Sequence, residues 1–295
     1  AMVALAALGA LAGLAWLSPA LHRPSDQQPT TVAGVSSGSA TGGLGSAPGG
    51  PGSATGGPGS DRWTPVLDDG FEELSAGRWH VFDNESWDRD DARVLAGNVA
   101  AHGGELRLRA RREHAAGRAF TSGDLRSQDA FSLPDYFKVT VTAKVPIQHG
   151  LWSAPLWLRP LDGGAGEIDL VETYGGERSD PRVHQTIHTG YGVDHRASAR
   201  TTRFADLPGT ATGWHTYTAA KTPGRIRMWV DGVLTADFSA TTVSWYDQYY
   251  ERGARWQLRI SLQVGGYDVP PDAGTDWRWS TSTLRVDRIR AWAWR

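Results

Sequence analysis

Apolar and polar residues alternate in short runs along the chain after residue 61, and this alternation predicts β-strands. A period of two places every second side chain on the same face of a strand. The predicted strands are Glu105–Ala110, Phe137–Val145, Leu156–Arg159, Glu167–Glu172, Val183–His188, Trp214–Ala220, Ile226–Val230 and Ile289–Trp294. Gly, Pro, Asp and Asn separate these runs, and Asp231-Gly232 predicts a tight hairpin turn. Because long helical periodicity is missing, the pattern favours one all-β domain over residues 62–295, built as an antiparallel sandwich or barrel.

The first 61 residues differ in composition from the rest of the chain. Residues 2–21 carry no charge, and about 20 apolar residues are enough to span a bilayer as a helix. Ser18-Pro19-Ala20 also resembles a signal-peptide cleavage site, so residues 1–21 are interpreted as a signal peptide or a membrane anchor. Residues 22–61 consist largely of Gly, Ser, Pro, Thr and Ala and predict a disordered linker. Either interpretation predicts an extracellular or cell-surface domain, with membrane attachment through residues 2–21 if the anchor is retained.

Composition excludes several kinds of chemistry. The chain of 295 residues has no cysteine, which excludes disulfides, Cys-ligated metals and thiol catalysis. Its formal charge of -2 argues against a nucleic-acid partner, which needs a basic surplus. Without a phosphate loop or a dinucleotide fingerprint, no cofactor is required. The 14 tryptophans exceed what a core usually needs, so some are expected to stack on ligands, whereas Trp292 and Trp294 are expected in the core.

Three carboxylates, Glu167, Asp169 and Glu172, lie within six residues on one predicted strand. Glu167 and Asp169 share a face because they are two residues apart, whereas a regular strand would point Glu172 into the core. A one-residue bulge at Leu170–Val171 would return Glu172 to the face of the other acids. The two Glu Cα atoms would then lie roughly 13 Å apart. Carboxyls that lean toward each other would approach to roughly 5 Å, the spacing used in retaining glycoside hydrolysis.

Two simpler interpretations fit the spacing of the acids equally well. Acidic side chains protect an exposed edge strand from pairing with other chains. Carboxylates grouped in this way also form part of calcium sites. The spacing alone leaves these interpretations open, and the residues that flank the strand favour the catalytic one.

The segment Glu167–Glu172 resembles the active-site strand of glycoside hydrolase family 16, whose signature is E-[I/L/V]-D-x-(x)-E. It matches the longer, bulged form found in laminarinase-like, agarase-like and carrageenase-like members. Other segments that resemble the family's strands are HGLWSAPLW at 149–157, VHQTIH at 183–188, WHTY at 214–217, IRMWVDG at 226–232, VGG at 264–266 and VDRIR at 286–290. The resemblance covers residues 62–295, which is the whole predicted domain.

This resemblance implies a fold and a set of catalytic roles. The fold is a β-jelly-roll sandwich of two curved antiparallel sheets, similar to concanavalin A, with a cleft on the concave face. By position, Glu167 matches the nucleophile, Glu172 the acid/base and Asp169 the assisting carboxylate.

The resemblance also assigns residues around the acids. Trp152, Trp157 and His188 fall where the family lines its sugar subsites. Asp287 is either an ordinary turn or surface acid or a candidate ligand for the structural calcium that many members carry on the convex face. Trp152 and Trp157 are five residues apart, so a regular strand would place one in the cleft and the other in the core.

The predicted function is that of a secreted or surface-tethered retaining endo-glycoside hydrolase. Its substrate would be a polysaccharide with internal β-linkages, such as β-1,3-glucan or a galactan. Three departures count against β-1,3-glucan: Tyr136–Thr140 lacks the family's usual Gly and Glu, Ser261 stands in place of an Asn, and no N-N-E-x-Q run follows Gly97–Val99. Two alternatives keep the same fold, a non-catalytic carbohydrate-binding jelly roll and a transglycosylase. The domain is expected to be a monomer.

Overall fold

The computed structural model describes residues 62–87, 90–177, 179–190, 194–266 and 279–295. The predicted signal peptide or anchor at 1–21 and the predicted linker at 22–61 lie outside these ranges. Within the described ranges, no helix has the length and hydropathy needed to cross a membrane.

Sixteen strands occur among the described residues, which confirms the all-β class. They are β1 (Trp63–Asp69), β2 (Trp79–Val81), β3 (Ala92–Val94), β4 (Val99–Ala101), β5 (Leu106–Arg111), β6 (Phe120–Ser127), β7 (Phe137–Lys144), β8 (Leu151–Pro160), β9 (Glu167–Tyr174), β10 (Arg182–His188), β11 (Ala197–Arg203), β12 (His215–Thr222), β13 (Arg225–Val230), β14 (Val233–Ser239), β15 (Trp256–Val264) and β16 (Thr281–Trp294). The short helix α1 (Tyr246–Tyr250) lies between β14 and β15. Single 3-10 turns occur at Ala96–Asn98, Asp129–Phe131, Gly175–Glu177 and Phe204–Asp206.

The strands form two curved layers that are joined along one edge. The first layer, called the cleft sheet below, has the order β11-β10-β9-β8-β15-β6, and β2 pairs with β6. The second layer, called the outer sheet, has the order β5-β16-β7-β12-β13-β14. A single pair, Arg111 with Thr121, links β5 to β6 and so connects the two layers. This arrangement confirms the predicted jelly-roll sandwich.

The core lies between the two layers, and β13 shows how the sequence pattern builds it. Ile226, Met228 and Val230 are buried, whereas the residues between them reach the surface. The strand ends at the predicted hairpin turn, where Asp231 and Gly232 have φ angles of 48° and 82°. Positive φ at both central residues is what a type I′ turn requires, so the Asp-Gly pair confirms the predicted hairpin.

The prediction that Trp292 and Trp294 lie in the core is wrong. Ile289 and Ala291 occupy the core face of β16 and are fully buried, so the tryptophans alternate to the outside and are only partly buried. The Lys138 ammonium lies 4.2 Å from the centroid of the Trp292 ring, as in a cation–π contact. Trp292 therefore packs against a basic side chain on the outer sheet.

Candidate active site

A bulge in β9 places its three acids on one face of the cleft sheet. The acids Glu167, Asp169 and Glu172 pair with alternate residues of β10, which are His188, Thr186 and His184. Alternate residues of a regular strand share a face, so the acids opposite them share a face as well. Between Asp169 and Glu172, a single β10 residue stands opposite two β9 residues, which is the bulge expected at Leu170–Val171.

Gln185 is the β10 residue that stands opposite the bulge. Its side chain is buried, and its amide Nε2 donates a hydrogen bond of 3.1 Å to the carbonyl oxygen of Leu170. A bulge interrupts the backbone ladder, and a buried carbonyl without a partner is costly. The Gln185 amide therefore supplies a hydrogen bond that the interrupted ladder does not, and it stabilises the bulge from the core side.

The Glu172 carboxyl is buried beside Trp152, whose indole Nε1 donates a hydrogen bond of 2.8 Å to Oε1 of Glu172. Burial raises the pKa of Glu172 well above its usual range, and the nearby Asp169 and Glu167 carboxylates raise it further. His188 and the indole bond act in the opposite direction and lower it. A carboxyl with a raised pKa keeps its proton near neutral pH, as a general acid must.

The Asp169 carboxyl is buried and contacts two stacked imidazoles in series. Its Oδ2 lies 2.8 Å from Nε2 of His188, and Nδ1 of His188 lies 2.8 Å from Nε2 of His195. The two rings stack with their centroids 5.0 Å apart. Burial raises the pKa of Asp169 to about 8. Two imidazoles therefore lie in series beside the Asp169 carboxyl, next to the two glutamates.

The Glu167 carboxyl lies between the Asp169 pair and a cation. Oxygen atoms of Glu167 and Asp169 and a ring nitrogen of His188 all lie within 4.8 Å of one another. On the other side, Nε of Arg159 lies 4.0 Å from Oε2 of Glu167. Arg159 projects from β8, so the nucleophile predicted from the sequence lies next to a positive charge on the neighbouring strand.

Tyr250 of α1 connects the backbone of Glu167 to that of His188. Its hydroxyl oxygen lies 2.6 Å from the carbonyl oxygen of Glu167 and 2.7 Å from that of His188. The amide nitrogens of His188 and Glu167 lie 3.0 and 3.3 Å from the same hydroxyl. A phenol can accept from both amides and donate to one carbonyl. Tyr250 is only 1% exposed, so water has little access to its hydroxyl.

Trp157 and Trp152 both lie on the acid face, so the prediction that one of them is in the core is wrong. Trp157 pairs with Asp169 across the β8–β9 ladder, and its Nε1 donates a hydrogen bond of 2.9 Å to Oγ of Ser261. The register of β8 shifts within Ser153–Leu156, and this shift returns Trp157 to the face of Trp152. Both indoles are partly exposed. A sugar-binding role for them and for His188 stays a prediction.

Asp287 lies on the outer sheet, exposed at a register shift of β16. Of the described residues, the group of His, Asp and Glu close enough to share a metal ion is Glu167, Asp169 and His188, and Asp287 is not part of it. Calcium takes about six to eight oxygen ligands, so Asp287 would have to share it with backbone carbonyls and water. Calcium binding at Asp287 stays a prediction.

Four residues near the acids were not found by sequence reasoning: Arg159, Gln185, His195 and Tyr250. Tyr250 contacts a residue 83 positions away in the chain, and no local motif marks it. His195 lies beyond β10, in a segment without alternation. Gln185 alone had a signal, because it is a polar residue at a core-facing position of a predicted strand.

Three acids on one bulged strand of a two-layer β-sandwich are compatible with glycoside cleavage, which uses a pair of carboxyl groups. A family model described as "Glycosyl hydrolases family 16" matches residues 88–288. The chain belongs to this family, as the sequence resemblance indicated, and it is a glycosidase. No curated protein matches the chain in sequence.

Solved structures share the fold over most of the chain. The catalytic domain of an endo-1,3-beta-glucanase (laminarinase) from Thermotoga petrophila RKU-1 is 20% identical with a TM-score of 0.68, covering 79% of this chain and 98% of its own. SCLam, a non-specific endo-beta-1,3(4)-glucanase, is 27% identical with a TM-score of 0.67, covering 79% and 92%. The laminarinase from Rhodothermus marinus is 26% identical with a TM-score of 0.66, covering 79% and 98%.

Proposed function

We propose that this protein is a retaining endo-glycosidase that cuts internal β-linkages of an extracellular polysaccharide, with β-1,3-glucan and galactans as the first candidates. The observation that carries the proposal is the bulge of β9, which brings Glu167, Asp169 and Glu172 to one face. Double displacement needs two carboxyls that flank the scissile bond, one to attack the anomeric carbon and one to exchange a proton with the leaving oxygen. The similarity to SCLam, a solved endo-glucanase, supports internal cleavage.

In the first step, the Glu167 carboxylate attacks the anomeric carbon while Glu172 gives its proton to the leaving glycosidic oxygen. The bond between the anomeric carbon and that oxygen breaks, and a glycosyl ester forms on Glu167. The raised pKa of Glu172 supports its role, because the acid must hold its proton when the substrate binds.

In the second step, water attacks the anomeric carbon, Glu172 accepts the proton of that water, and Glu167 leaves as a carboxylate. Glu167 is one of the groups that raise the pKa of Glu172. Esterification removes that negative charge, so the pKa of Glu172 falls in the intermediate and its change from acid to base is favoured. Burial raises the pKa of Asp169 to about 8, so its carboxyl is a further group that can hold a proton next to both glutamates.

Paired substitutions test the catalytic roles. Glu167→Gln should lower turnover by at least about 10²–10⁴-fold on any polysaccharide that the wild type cuts. Glu172→Gln should lose as much on polysaccharide but less on aryl glycosides, whose leaving groups need no proton. Asp169→Asn should be milder than either. Glu73→Gln, at an exposed carboxyl, is the control and should keep full activity.

Product analysis tests the reaction type. The first products, followed by NMR, should keep the β-configuration, and a falling viscosity with a mixture of oligosaccharides should show internal cleavage. Inverted products, or full turnover in Glu167→Gln, would contradict the proposal. A wild type that binds polysaccharides but cuts none would favour the non-catalytic alternative.

We infer export from the sequence, because the uncharged stretch 2–21 precedes the linker at 22–61. Cell fractionation should find the full-length chain outside the cytoplasm, in the medium if residues 1–21 are cleaved and with the membrane if they are retained. Size-exclusion chromatography of the domain should give the mass of a monomer. A cytoplasmic full-length protein would contradict the inference of export.

A further inference from the structure

A hydrogen bond to a buried serine holds the ring of Trp157 on the acid face. Trp157 pairs with Asp169 across the β8–β9 ladder, and residues that pair directly across strands have neighbouring side chains. Its indole Nε1 donates a hydrogen bond of 2.9 Å to Oγ of Ser261 on β15. Trp157 is partly exposed, so a ligand in the cleft can contact its ring. The groups that hold Ser261 therefore affect the surface next to the acids.

A carboxyl on β6 holds the Ser261 hydroxyl in turn. Ser261 pairs directly with Asp124 across the β15–β6 ladder, and its Oγ donates a hydrogen bond of 3.1 Å to Oδ2 of Asp124. Both residues are buried, with exposed fractions of 4% and 3%. A hydroxyl has one hydrogen to donate, whereas an indole N–H can only donate. Because Asp124 takes the hydrogen of Ser261, the serine oxygen presents a lone pair to the indole of Trp157.

These two hydrogen bonds, called the Asp124–Ser261–Trp157 relay below, cross three neighbouring strands of the cleft sheet. The strands β6, β15 and β8 are adjacent in its order. Side chains on strands are held more precisely than side chains on loops. The relay therefore ties the Trp157 ring to the sheet itself.

A carboxyl at position 124 is unfavourable for stability. Its second oxygen, Oδ1, is buried and has no hydrogen-bond partner among the residues that the structure describes. Burial raises the pKa of Asp124 to about 7, although the charge of Arg259 and the Ser261 hydrogen bond lower it. Burying a carboxyl with one oxygen unpaired costs more than burying an apolar side chain of similar size. Packing alone gives no reason for Asp124, whereas the need for an acceptor beside Ser261 does.

Asp90, a second buried carboxyl, shows what a structural role looks like in this domain. Its Oδ1 accepts hydrogen bonds of 2.9 and 3.1 Å from the backbone amides of Ala92 and Val264. Those bonds connect the backbone of β3 to the end of β15 and so stabilise the sheet directly. The hydrogen bond of Asp124 goes instead to a side chain, Ser261, which leads to the cleft.

We propose that Asp124 is a positioning residue of the cleft, which acts through the Ser261 hydroxyl to fix the Trp157 ring in the orientation that binds a sugar unit beside the acids. The inference rests on the proposed glycosidase function and on the predicted sugar-binding role of Trp157. Asp124 and Ser261 act without touching the substrate. A ring that is already oriented loses less entropy when a sugar stacks on it, so the relay acts on substrate affinity.

Steady-state kinetics on a polysaccharide that the wild type cuts measure this effect. Ser261→Ala removes the acceptor of the indole and should raise KM about three- to tenfold, the value of one hydrogen bond, while kcat changes less than about twofold. Asp124→Asn keeps an oxygen that can accept in one of two amide orientations, so its KM should rise less. Asp124→Asn also provides the test if Ser261→Ala does not fold.

Ser282→Ala is the matched control. Ser282 lies on the outer sheet, has the same exposed fraction of 4% as Ser261, and donates its hydroxyl hydrogen to Gln148. The control should leave KM unchanged even where its loss of unfolding free energy equals that of Ser261→Ala. An equal rise of KM in both serine variants would overturn the inference.

The Trp157→Phe background tests whether the relay acts through the indole. Phenylalanine keeps an aromatic face but has no N–H, so Ser261→Ala should change KM less than about twofold there. For the same reason, Asp124→Val combined with Ser261→Ala should raise KM no more than Ser261→Ala alone. A rise of KM in Ser261→Ala that persists in full in Trp157→Phe would overturn the inference.

Two readouts distinguish positioning from a purely structural role. The NMR signal of the Trp157 indole N–H, assigned by its absence in Trp157→Phe, should move in Ser261→Ala and Asp124→Asn and stay in place in Ser282→Ala. The unfolding free energy of Asp124→Val with Ser261→Ala should be no lower than that of Ser261→Ala, because the double change removes a buried carboxyl. An indole signal that does not move, or a further loss of stability in the double variant, would contradict the proposed role.

Binding separates this inference from the proposed function. Affinity electrophoresis of Glu167→Gln in gels that contain polysaccharide measures binding without turnover. Weaker retardation after Ser261→Ala is added, together with a wild type that cuts nothing, would support the relay and reject the hydrolase. Turnover by the wild type, with the same KM in Ser261→Ala, would support the hydrolase and overturn the relay.

Discussion

The strand pairs β9–β10 and β12–β13 arise from similar sequence patterns but differ in their structures. The ladder between β12 and β13 has no register shift from the pair of Tyr217 with Val230 to the pair of Thr222 with Arg225. The residues of β13 alternate between surface and core. β9 and β10 slip by one residue, and seven of the eight residues of β9 are buried, including its three acids. The regular pair builds the outer sheet, and the irregular pair builds the site.

The difference lies in what each polar group needs. Outward side chains of β13 reach water and require no protein partner. A buried carboxyl requires partners, because burying a charge without them is costly. In β9 those partners are Trp152 for Glu172 and His188 for Asp169, and Gln185 serves the backbone at the bulge. An acidic, bulged strand is therefore stable only because surrounding elements supply its hydrogen bonds.

Of the substitutions considered, Tyr250→Phe should have the largest effect on the irregular pair β9–β10 and little effect on the regular pair β12–β13. The change removes the hydroxyl that contacts four backbone atoms of Glu167 and His188 and leaves buried groups without a partner. We expect unfolding free energy to fall by about 1–3 kcal/mol, as measured by denaturant titration. Turnover should fall as well, because Glu167 loses its anchor. Tyr249→Phe on the same helix is the control, and equal effects of the two changes would contradict the role of Tyr250.

Gln185→Leu sharpens the comparison at the bulge itself. The carbonyl of Leu170 would lose its partner, so unfolding free energy should fall by about 1–3 kcal/mol. Deleting Val171 removes the extra residue and leaves Glu172 four positions from Glu167, which a regular strand places on one face. In that background Gln185→Leu should cost much less. The two changes form a double-mutant cycle, and additive effects would show that Gln185 does not act on the bulge.

Trp152→Phe should move a pH limit rather than abolish activity. The indole N–H donates to the Glu172 carboxylate and lowers its pKa, so removing the donor raises that pKa further. With Glu172 as the proposed acid, the alkaline limb of kcat/KM should shift to higher pH, by about one unit or less. Trp157→Phe is the control, since its indole donates to Ser261 and should leave the limb in place. A shift to lower pH in Trp152→Phe would contradict this assignment.

Thr235→Val should have the smallest effect and tests the outer sheet. Thr235 is the extra residue of a shift between β13 and β14, and its hydroxyl lies 3.3 Å from the carbonyl oxygen of Met228. The bond is long and the side chain only partly buried, so unfolding free energy should fall by about 0.5 kcal/mol with turnover unchanged. A loss of unfolding free energy as large as that of Gln185→Leu would contradict this expectation. It would show that the shift between β13 and β14 depends on its side-chain hydrogen bond as much as the bulge of β9 does.

Much of the fold was predictable because its signals are local. Alternation with a period of two identified β5, β7, β13 and β16, and the Asp231-Gly232 pair identified a hairpin turn. The acids Glu167, Asp169 and Glu172 lie within six residues, and they can share a face only if the strand contains a bulge. Each of these inferences uses neighbours in the chain, whose geometry depends only on the pleat of one strand.

Only the tertiary structure decided which distant groups surround the acids. Tyr250 contacts Glu167 across 83 residues, and Trp157 donates to Ser261 across 104. The shift within β8 that turns Trp157 toward the acids depends on pairing with β9 and β15. A local pattern sets the period of a strand, but which face meets which neighbour depends on register between strands. Register is fixed only when the two layers bury their apolar faces against each other.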